Sequence, residues 1–436
     1  MATTHASAAA ACQACDTHRL VSAPSADPFE RGVALGNALG PLAVELHGLL
    51  AGVWFGHLAD EWAEIAAASL AILEEFAPVT AQEIKGYASV LDGDGMRLLL
   101  MLGSEREIGM LNAQRAAGLR SPPLGGTSTS INGINDHGDG PDDCSGLIWA
   151  SPSRSVLGHA TDLTPEFYLS GRATRVCRLA AGVHADSGES YPACLCINFA
   201  GIGCIGGSNA DGLTISRFTV DTGERNLDAG VPVYWLVREA LTRRTLEAAV
   251  DYLRECPRTL PYAFHLAQGG RAVGVECSPS QFTVKPADFN GDSNGDSNDG
   301  GSNDGVYTYR GARANHCVLD PEMIRTEIGA HHLTALGGQH DKSSAARQAA
   351  LERALGKMTG DGAATPDIAG VQAALLVSPV TNETTMFCFV AESREREGEG
   401  EEEAEEAQAQ NSRREEPHSL HVQFFGEGPT FHTYRV

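Results

Sequence analysis

Cys144 is the residue whose type and setting most clearly suggest chemistry. It follows a polar loop rich in Gly, Ser, Asn and Asp and opens an apolar run from Gly146 to Ala150. If the chain is cut at the Asp143-Cys144 bond, one residue carries both a thiol and a new α-amine. A free α-amine titrates near pH ~7.7 to 8 and a thiol near ~8.5, so the amine can take the proton of the thiol at neutral pH. The pattern predicts nucleophilic catalysis by Cys144.

A β-hairpin is the element expected to position this cysteine. A Pro-Ser-Arg turn separates the run from Gly146 to Ala150 from a second run, Ser155 to Ala160, which is a hairpin signal. Asp162, eighteen residues after Cys144, should return beside it, where a carboxylate can hold the ammonium form of the amine. An ordinary half-buried cysteine at a strand start and a strand-end carboxylate are the alternative interpretations.

Two further stretches occur in a characteristic order. One reads Gly203-Cys-Ile-Gly-Gly-Ser-Asn209-Ala-Asp-Gly212, and the other reads Ala314-Asn315-His316-Cys317 after a predicted strand, Val306 to Tyr309. Together with the Cys144 hairpin, they resemble the isopenicillin N acyltransferase (acyl-CoA:6-aminopenicillanic acid acyltransferase) family of N-terminal nucleophile (Ntn) hydrolases. Acid ceramidase is similar at a greater distance.

The resemblance implies an α+β fold, the four-layer αββα sandwich of Ntn hydrolases with two antiparallel sheets. It assigns Asn209 to the oxyanion hole, where loss of one donor costs about 10²- to 10³-fold, and Asn315 to holding the α-amine. A left-handed turn for Asn209 and a strand-end cap for Asn315 are the alternatives. His159 stands where relatives have Arg or Gln and is a candidate substrate contact, with an outward-facing hairpin residue as the alternative. Arg347, in a Ser-x-x-Arg element similar to that of the family, is a second candidate contact, but a solvated helix arginine is the favoured interpretation.

The composition excludes several classes of protein. The net charge is -24, of which -16 lies in the stretches 136–143, 288–304 and 392–416, and no basic stripe remains for nucleic acid. No apolar run approaches the roughly 18 residues needed to span a bilayer. The N-terminus lacks a secretory signal pattern, which predicts a cytoplasmic protein. Eleven irregularly spaced cysteines predict neither a disulfide framework nor a metal site.

Periodicity supplies a coarse secondary structure. Residues 27–117 are predicted to be helical, with a capping box from Thr80 to Glu83, and Val231 to Glu255 should form one amphipathic helix. Strands are predicted at Ala193 to Ala200, Gly203 to Gly206, Tyr262 to Ala267, Ala272 to Cys277, Thr384 to Ala391 and Ser419 to Phe425. We expect flexible inserts at 288–305 and 392–417.

These observations give one leading functional hypothesis. The precursor should split into an N-terminal segment, 1–143, and a nucleophile-bearing segment, 144–436, which stay associated as one structural domain. The mature protein is predicted to form an acyl-enzyme on Cys144 and to transfer or hydrolyse the acyl group of a peptide-like or secondary-metabolite amide. No cofactor is expected, and acyl-coenzyme A is allowed as a co-substrate. An N-acyl amide hydrolase of the ceramidase type, or an unprocessed homologue that only binds, are the alternatives.

Overall fold

The computed structural model describes most of the chain in separate stretches. Two expected site residues, Asp143 and Asn315, lie outside the described residues, as do the predicted insert 288–305 and the strand expected at Val306 to Tyr309. The described stretches are 19–51, 59–104, 144–151, 153–162, 173–185, 187–220, 229–286, 310–313, 339–359, 366–378, 385–394, 418–424 and 431–436, with the single residues 224, 226 and 380.

Four helices form the N-terminal part, as the periodicity predicts. The first begins at an Asp27 cap, whose side chain accepts hydrogen bonds from the backbone N–H groups of Phe29 and Glu30, with Pro28 at the first helical position. Both features favour a helix start. Its buried stripe recurs every three or four residues and packs on the third helix. The helices are α1 (Pro28–Leu50), α2 (Ala59–Phe76), α3 (Pro78–Ala88) and α4 (Gly95–Gly103).

The first sheet has eight strands. All of its pairings are antiparallel except the one between the first strand and the fourth, which is parallel. Its order is β1-β4-β7-β8-β9-β10-β11-β12. The strands are β1 (Leu20–Ala23), β4 (Thr174–Leu179), β7 (Cys194–Phe199), β8 (Ile202–Asn209), β9 (Thr214–Thr219), β10 (Tyr262–Gln268), β11 (Arg271–Cys277) and β12 (Phe282–Pro286).

The second sheet has six strands and carries Cys144. All of its pairings are antiparallel, and its order is β13-β2-β3-β14-β15-β16. The strands are β2 (Cys144–Ser151), β3 (Arg154–Asp162), β13 (Arg310–Arg313), β14 (Thr385–Arg394), β15 (His418–Phe424) and β16 (His432–Arg435). A separate two-stranded ribbon consists of β5 (Gly182–Val183) and β6 (Ser190–Tyr191).

The two large sheets lie face to face between two helical layers. Strands β2 and β3 pack against β9, β10 and β11 of the first sheet. On the outside of the first sheet, α4 and α5 (Val233–Ala240) pack on β8, and α6 (Leu246–Glu255) packs on β10. On the outside of the second sheet, α7 (Gln339–Thr359) packs on β2, and α8 (Ile368–Leu375) packs on β3. The expected four-layer αββα sandwich is confirmed.

Three local predictions are wrong. The helix expected from Val231 to Glu255 is two helices, α5 and α6, because Thr245 caps a new start by accepting from the N–H of Ala248. The segment expected as an insert from residue 392 begins inside β14, since Glu392 is 5% exposed and its carboxylate binds Arg154.

The capping box is the third correction. Helix α3 has no side-chain cap at its start; the Thr80 hydroxyl donates instead to the Glu239 carboxylate of α5. Glu83 is fully engaged elsewhere. Its two carboxylate oxygens accept from Arg31 of α1 and from Arg238 of α5, with N···O distances of 2.6 to 2.9 Å. This buried triad ties three helices of the outer layer together.

Among the described helices, α1 alone is long and apolar enough by length and composition to cross a membrane. Its buried residues pack on α3, β1 and α4, as those of a core helix do. Composition of this kind is weak support for a membrane span.

Candidate active site

The β2–β3 hairpin positions Cys144 as the sequence predicts. Cys144 is the first residue of β2 and pairs with Thr161 of β3, while Ser151 pairs with Arg154 beside the turn. The Cys144 side chain is 1% exposed. The nucleophile candidate is therefore the first residue of a strand in the interior of the second sheet.

Alternation along the hairpin separates its side chains into two faces. Cys144 belongs to a buried apolar cluster with Phe218, Val220 and Ala263 of the first-sheet side, so its thiol faces the first sheet. Thr161, its cross-strand partner, shares that inter-sheet face. Ser145, the next residue along β2, faces the helical layer, where Arg347 binds it. The thiol thus lies in the space between the sheets.

Asp162 lies where a carboxylate can serve the amine of Cys144. The pairing between β2 and β3 stops at Cys144 and Thr161, so Asp162 is one residue beyond, on the side of the Cys144 backbone nitrogen. Its side chain is 1% exposed, and its carboxylate accepts a hydrogen bond from the hydroxyl of Thr385. This hydrogen bond to the neighbouring strand orients the carboxylate at the strand end.

Arg347 contacts the start of β2 at Cys144 and Ser145. Its Nη1 donates to the backbone carbonyl of Cys144 at 2.8 Å and to the hydroxyl of Ser145 at 2.7 Å. The side chain is fully buried on α7. The favoured prediction of a solvated helix arginine is wrong, because Arg347 is buried, and its described contacts are with the strand that carries Cys144 rather than with solvent. Arg347 therefore holds the start of β2 from the helical side.

His159 is buried on the inter-sheet face, two residues before Thr161. Its Nε2 lies 3.0 Å from the Thr161 hydroxyl, and its ring packs against Phe218 and Phe389 at 4.9 and 5.2 Å between centroids. Burial, and secondarily the charge of Arg217, lower the pKa of His159 to about 3. The imidazole is therefore neutral at physiological pH and lines the inter-sheet space near Cys144 as a polar, uncharged side chain.

A buried ion pair that the sequence analysis did not predict connects the two sheets close to His159. Arg313 of β13 pairs in register with Gly146, and its Nη1 lies 2.5 Å from the Glu276 carboxylate of β11. The two side chains are 2% and 0% exposed. Their spacing of 37 residues carries no local signal.

No described contact joins Asn209 to Cys144, and the Asn209 side chain is engaged by other partners. Its amide nitrogen donates to the carbonyls of Leu241 and Arg243, and its oxygen accepts from two backbone N–H groups of its own turn. Asn209 follows Ser208, which pairs with Thr214, whereas Cys144 clusters with Phe218. Four strand residues separate that end of β9 from Phe218, or roughly 13 Å. Asn209 is the last residue of β8 and does not have a positive φ, so the left-handed turn expected as the alternative is not its conformation either; its side chain instead holds the turn that follows.

The remaining expected site residues, Asp143 and Asn315, lie outside the described part of the chain. Arg313, the last residue of β13, pairs with Gly146, two residues after Cys144. In the described stretches, no group of three or more His, Cys, Asp or Glu side chains could hold a metal ion. The chemistry that the described residues support is therefore that of a thiol flanked by a carboxylate and two guanidinium groups.

One protein family matches the sequence. The model of the family described as acyl-coenzyme A:6-aminopenicillanic acid acyl-transferase matches residues 149–373, slightly more than half of the 436 residues. The match includes Asp162, Asn315 and Arg347 and begins five residues after Cys144. A search of curated proteins found no match.

Solved structures with a similar chain path include three amide hydrolases. An N-acylethanolamine-hydrolyzing acid amidase ortholog of Caenorhabditis elegans is 15% identical, with a TM-score of 0.39 over 57% of this chain and 92% of that chain. A mutant conjugated bile acid hydrolase of Clostridium perfringens is 11% identical, with a TM-score of 0.38 over 67% and 92%. Penicillin V acylase of Agrobacterium tumefaciens is 12% identical, with a TM-score of 0.32 over 57% and 78%.

Proposed function

The chain belongs to the acyl-coenzyme A:6-aminopenicillanic acid acyl-transferase family, and from that premise we propose that it is a self-cleaving acyltransferase or amidohydrolase with Cys144 as nucleophile. The proposed substrate is a peptide-like or secondary-metabolite amide, or an acyl-coenzyme A that donates its acyl group. Cleavage of the Asp143-Cys144 bond is proposed to produce two chains that remain associated.

The position of Cys144 carries this proposal. It begins β2, its thiol faces the inter-sheet space, and its carbonyl is held by Arg347. Asp162 lies one residue beyond its strand partner, on the side of the backbone nitrogen that a cut would free. A strand that starts at a nucleophile, with a carboxylate beside its nitrogen, suits a residue that serves as both nucleophile and base.

Self-cleavage would proceed through a thioester. The Cys144 thiol adds to the carbonyl of residue 143, and the peptide C–N bond breaks as its nitrogen takes a proton. The resulting thioester between residue 143 and the Cys144 sulfur is hydrolysed by water. These steps leave a carboxylate on residue 143 and a free α-amine and thiol on Cys144.

Turnover would use the new amine as base. It accepts the thiol proton, the thiolate attacks the substrate carbonyl, and Asp162 holds the ammonium form. Since Asn209 is committed to its turn, we assign the oxyanion-stabilising amide to Asn315, which follows the β13 pairing with β2 by two residues. The leaving amine or thiol takes the proton, and the acyl thioester on Cys144 then passes to an amine acceptor or to water.

Intact mass spectrometry under denaturing conditions tests the cleavage. We expect two polypeptides, the larger beginning at Cys144, and a single uncut chain for Cys144→Ala. Cys388→Ala is the matched control, because Cys388 is equally buried two strands away from Cys144, on β14; it should be cut normally. An uncut wild-type chain that still turns over substrate would contradict the proposal.

A second assay separates transfer from hydrolysis. Short-chain and aromatic acyl-coenzyme A donors are incubated with the processed protein, with and without 6-aminopenicillanic acid as acceptor. Transfer predicts a new amide and faster coenzyme A release with the acceptor, whereas hydrolysis predicts free acid at the same rate in both. Failure of every thioester and amide donor to acylate Cys144 would refute an enzymatic role.

A further inference from the structure

Arg313 and His159 flank the same residue, Gly146, from the two neighbouring strands. Cross-strand partners share a face, and residues two apart along a strand share it too. Arg313, Gly146 and His159 therefore form one row on the inter-sheet face, and Cys144 and Thr161 form the next row. Adjacent rows lie roughly 7 Å apart along the strands. The guanidinium of Arg313 thus lies on the same face of the sheet as the Cys144 thiol, in the adjacent row.

The counter-ion of Arg313 comes from the opposite sheet and also lies near Cys144. Glu276 pairs in register with Ala263, and Ala263 shares a buried apolar cluster with Cys144. Glu276 and Ala263 share a face for the same reason as above. One positive and one negative charge, joined in an ion pair at 2.5 Å, therefore border the space that the thiol faces.

Fold stability does not account for this pair. A buried ion pair is often no better than an apolar packing of the same volume, because both charges lose their hydration. In addition, the Nε of Arg313 is buried and has no hydrogen-bond partner among the described residues. A buried donor without an acceptor is costly and calls for an explanation. Its placement beside a nucleophile, where negative charge develops, supplies one.

Among the described residues, the other side chains that face the inter-sheet space near Cys144 are uncharged at physiological pH, so Arg313 and Glu276 supply the charges there. Burial lowers the pKa of both His159 and His265, so both are neutral at physiological pH. Thr161 and Phe218 carry no charge. Arg217 lies on the other face of β9, where it binds the hydroxyl of Tyr234 on α5.

The remaining charged groups act from the opposite face of the second sheet. Arg347 of α7 binds the Cys144 carbonyl, and Asp162 accepts from Thr385 of β14. Neither lies on the thiol's own face. Arg313 and Glu276 are thus the charges that share the space in front of the sulfur.

We propose that Arg313 and Glu276 form an electrostatic positioning pair that sets the acidity of the Cys144 thiol. Arg313 stabilises the thiolate, and Glu276 holds the guanidinium in place while reducing its net field at the sulfur. The inference rests on the proposed function in one respect, that Cys144 is the nucleophile. It identifies Arg313 and Glu276 as residues that tune the reaction without touching the substrate.

The two charges make opposite predictions, which a merely structural role does not. The alkylation rate of Cys144 by iodoacetamide is followed from pH 5 to 10 by peptide mass spectrometry, and the midpoint of its pH profile is compared among variants. Arg313→Met should raise the midpoint by about one pH unit, a tenfold loss of thiolate at a given low pH. Glu276→Gln should lower it, because the guanidinium is then uncompensated. Shifts in the same direction, or none, would overturn the proposal.

Conservative and remote variants serve as controls. Arg313→Lys keeps the charge and should keep the midpoint near that of the wild type. If Arg313→Met does not fold, this variant still tests whether the positive charge sets the midpoint. Arg154 and Glu392 form a less buried ion pair, 20% and 7% exposed, at the other end of β3. Arg154→Met and Glu392→Gln should leave the midpoint unchanged. A shift as large as that of Arg313→Met would assign the effect to general destabilisation and refute the pair's local role.

The assay also separates this inference from the proposed function. Alkylation requires neither cleavage nor turnover, so a chain that stays uncut and inactive refutes the proposed function while the midpoints still decide the role of the pair. Where the enzyme is active, the acid limb of kcat/KM should move with the alkylation midpoint in both variants. A thiol unreactive up to pH 10 in the folded wild type would contradict the proposal equally.

Discussion

Arg347 donates a hydrogen bond from its guanidinium to the backbone carbonyl of Cys144 at 2.8 Å. The same Nη1 reaches the Ser145 hydroxyl, so one buried side chain of α7 fixes the first two residues of β2. Arg313 approaches the same strand end from the opposite face of the sheet. The start of β2 is thereby held between two guanidinium groups, one against its backbone and one near its thiol.

Loss of the Arg347 contact should slow chemistry more than binding. Without its donor, the Cys144 backbone is free to shift, and a misplacement of about 1 Å can cost on the order of 10²-fold in rate. We expect Arg347→Leu to slow both the appearance of the two fragments on a denaturing gel and kcat by roughly that factor, with KM little changed. Arg353→Leu, an exposed arginine on the same helix, is the control. Equal rates in both variants would show that the contact is dispensable.

Substitutions of Asn209 and Asn315 should have different effects, the first on stability and the second on the reaction rate. Asn209→Asp points a carboxylate at the carbonyls of Leu241 and Arg243, which should lower the free energy of unfolding by about 2 kcal/mol. Activity per folded molecule should stay normal. Asn315→Leu should instead reduce kcat by about 10²- to 10³-fold, as loss of an oxyanion donor does. Urea unfolding and initial rates, measured on both variants, give the comparison; the reverse pattern would restore Asn209 to the site.

The Glu83 triad predicts a large stability effect remote from the chemistry. Burial alone would raise the pKa of Glu83, but Arg238 and Arg31 outweigh it and lower the pKa below its ordinary value. Glu83→Gln leaves two buried guanidinium groups without their counter-charge, and we expect a loss of about 3 to 5 kcal/mol in urea unfolding. Glu74→Gln, which removes a partly exposed pair with Lys85, should cost under about 1 kcal/mol. Similar losses in both variants would contradict a special role of the triad.

The buried histidines predict acid sensitivity. The pKa of His159 is lowered to about 3 in the folded state, against about 6.5 when unfolded. Between these values the unfolded chain binds more protons, so stability is full above about pH 6.5 and falls as the pH drops toward 3. The slope is at most about 1.4 kcal/mol per pH unit for one such group. His265, whose pKa is also lowered by burial, adds to it.

Denaturation midpoints at pH 7, 5.5 and 4.5 measure this slope. His159→Gln should reduce the pH dependence of the unfolding free energy by the contribution of one histidine, whatever the variant does to the stability at pH 7. His432→Gln, at a partly exposed position in the edge strand β16, is the control and should leave the slope as in the wild type. A slope unchanged by His159→Gln would mean that the imidazole is already protonated in the folded protein.

Local patterns predicted the elements that depend on neighbouring residues. The apolar runs bounded by turn residues predict the Cys144 hairpin, and the structure confirms it; the strands predicted at Tyr262 to Ala267 and Ala272 to Cys277 are also confirmed and pair with each other. The helix break between α5 and α6 was missed although Thr245 marked it, because apolar periodicity continues across the break. At the boundary between α5 and α6, the cap residue Thr245 therefore indicates the helix break better than the apolar periodicity does.

Tertiary partners were beyond the reach of local patterns. Thr80 and Glu83 fit a capping box in sequence, but each finds a stronger partner on α5, in Glu239 and Arg238. Asn209 suits a turn and an oxyanion hole equally well by residue type, and only the strand register decides between them. Arg313 and Glu276 stand 37 residues apart, so their meeting depends on how the two sheets face each other.

The parallel pairing of β1 with β4 has a consequence for any molecule severed before Cys144. Its shorter piece would contribute an edge strand to the first sheet and two members, Arg31 and Glu83, of a buried ionic triad completed by Arg238 of the longer piece. The two fragments would stay associated through these contacts. A native gel would therefore not reveal the cleavage, and only a denaturant would separate the fragments. Co-expression of the two halves from separate genes should then reconstitute the assembly in trans, without any peptide bond ever having joined them.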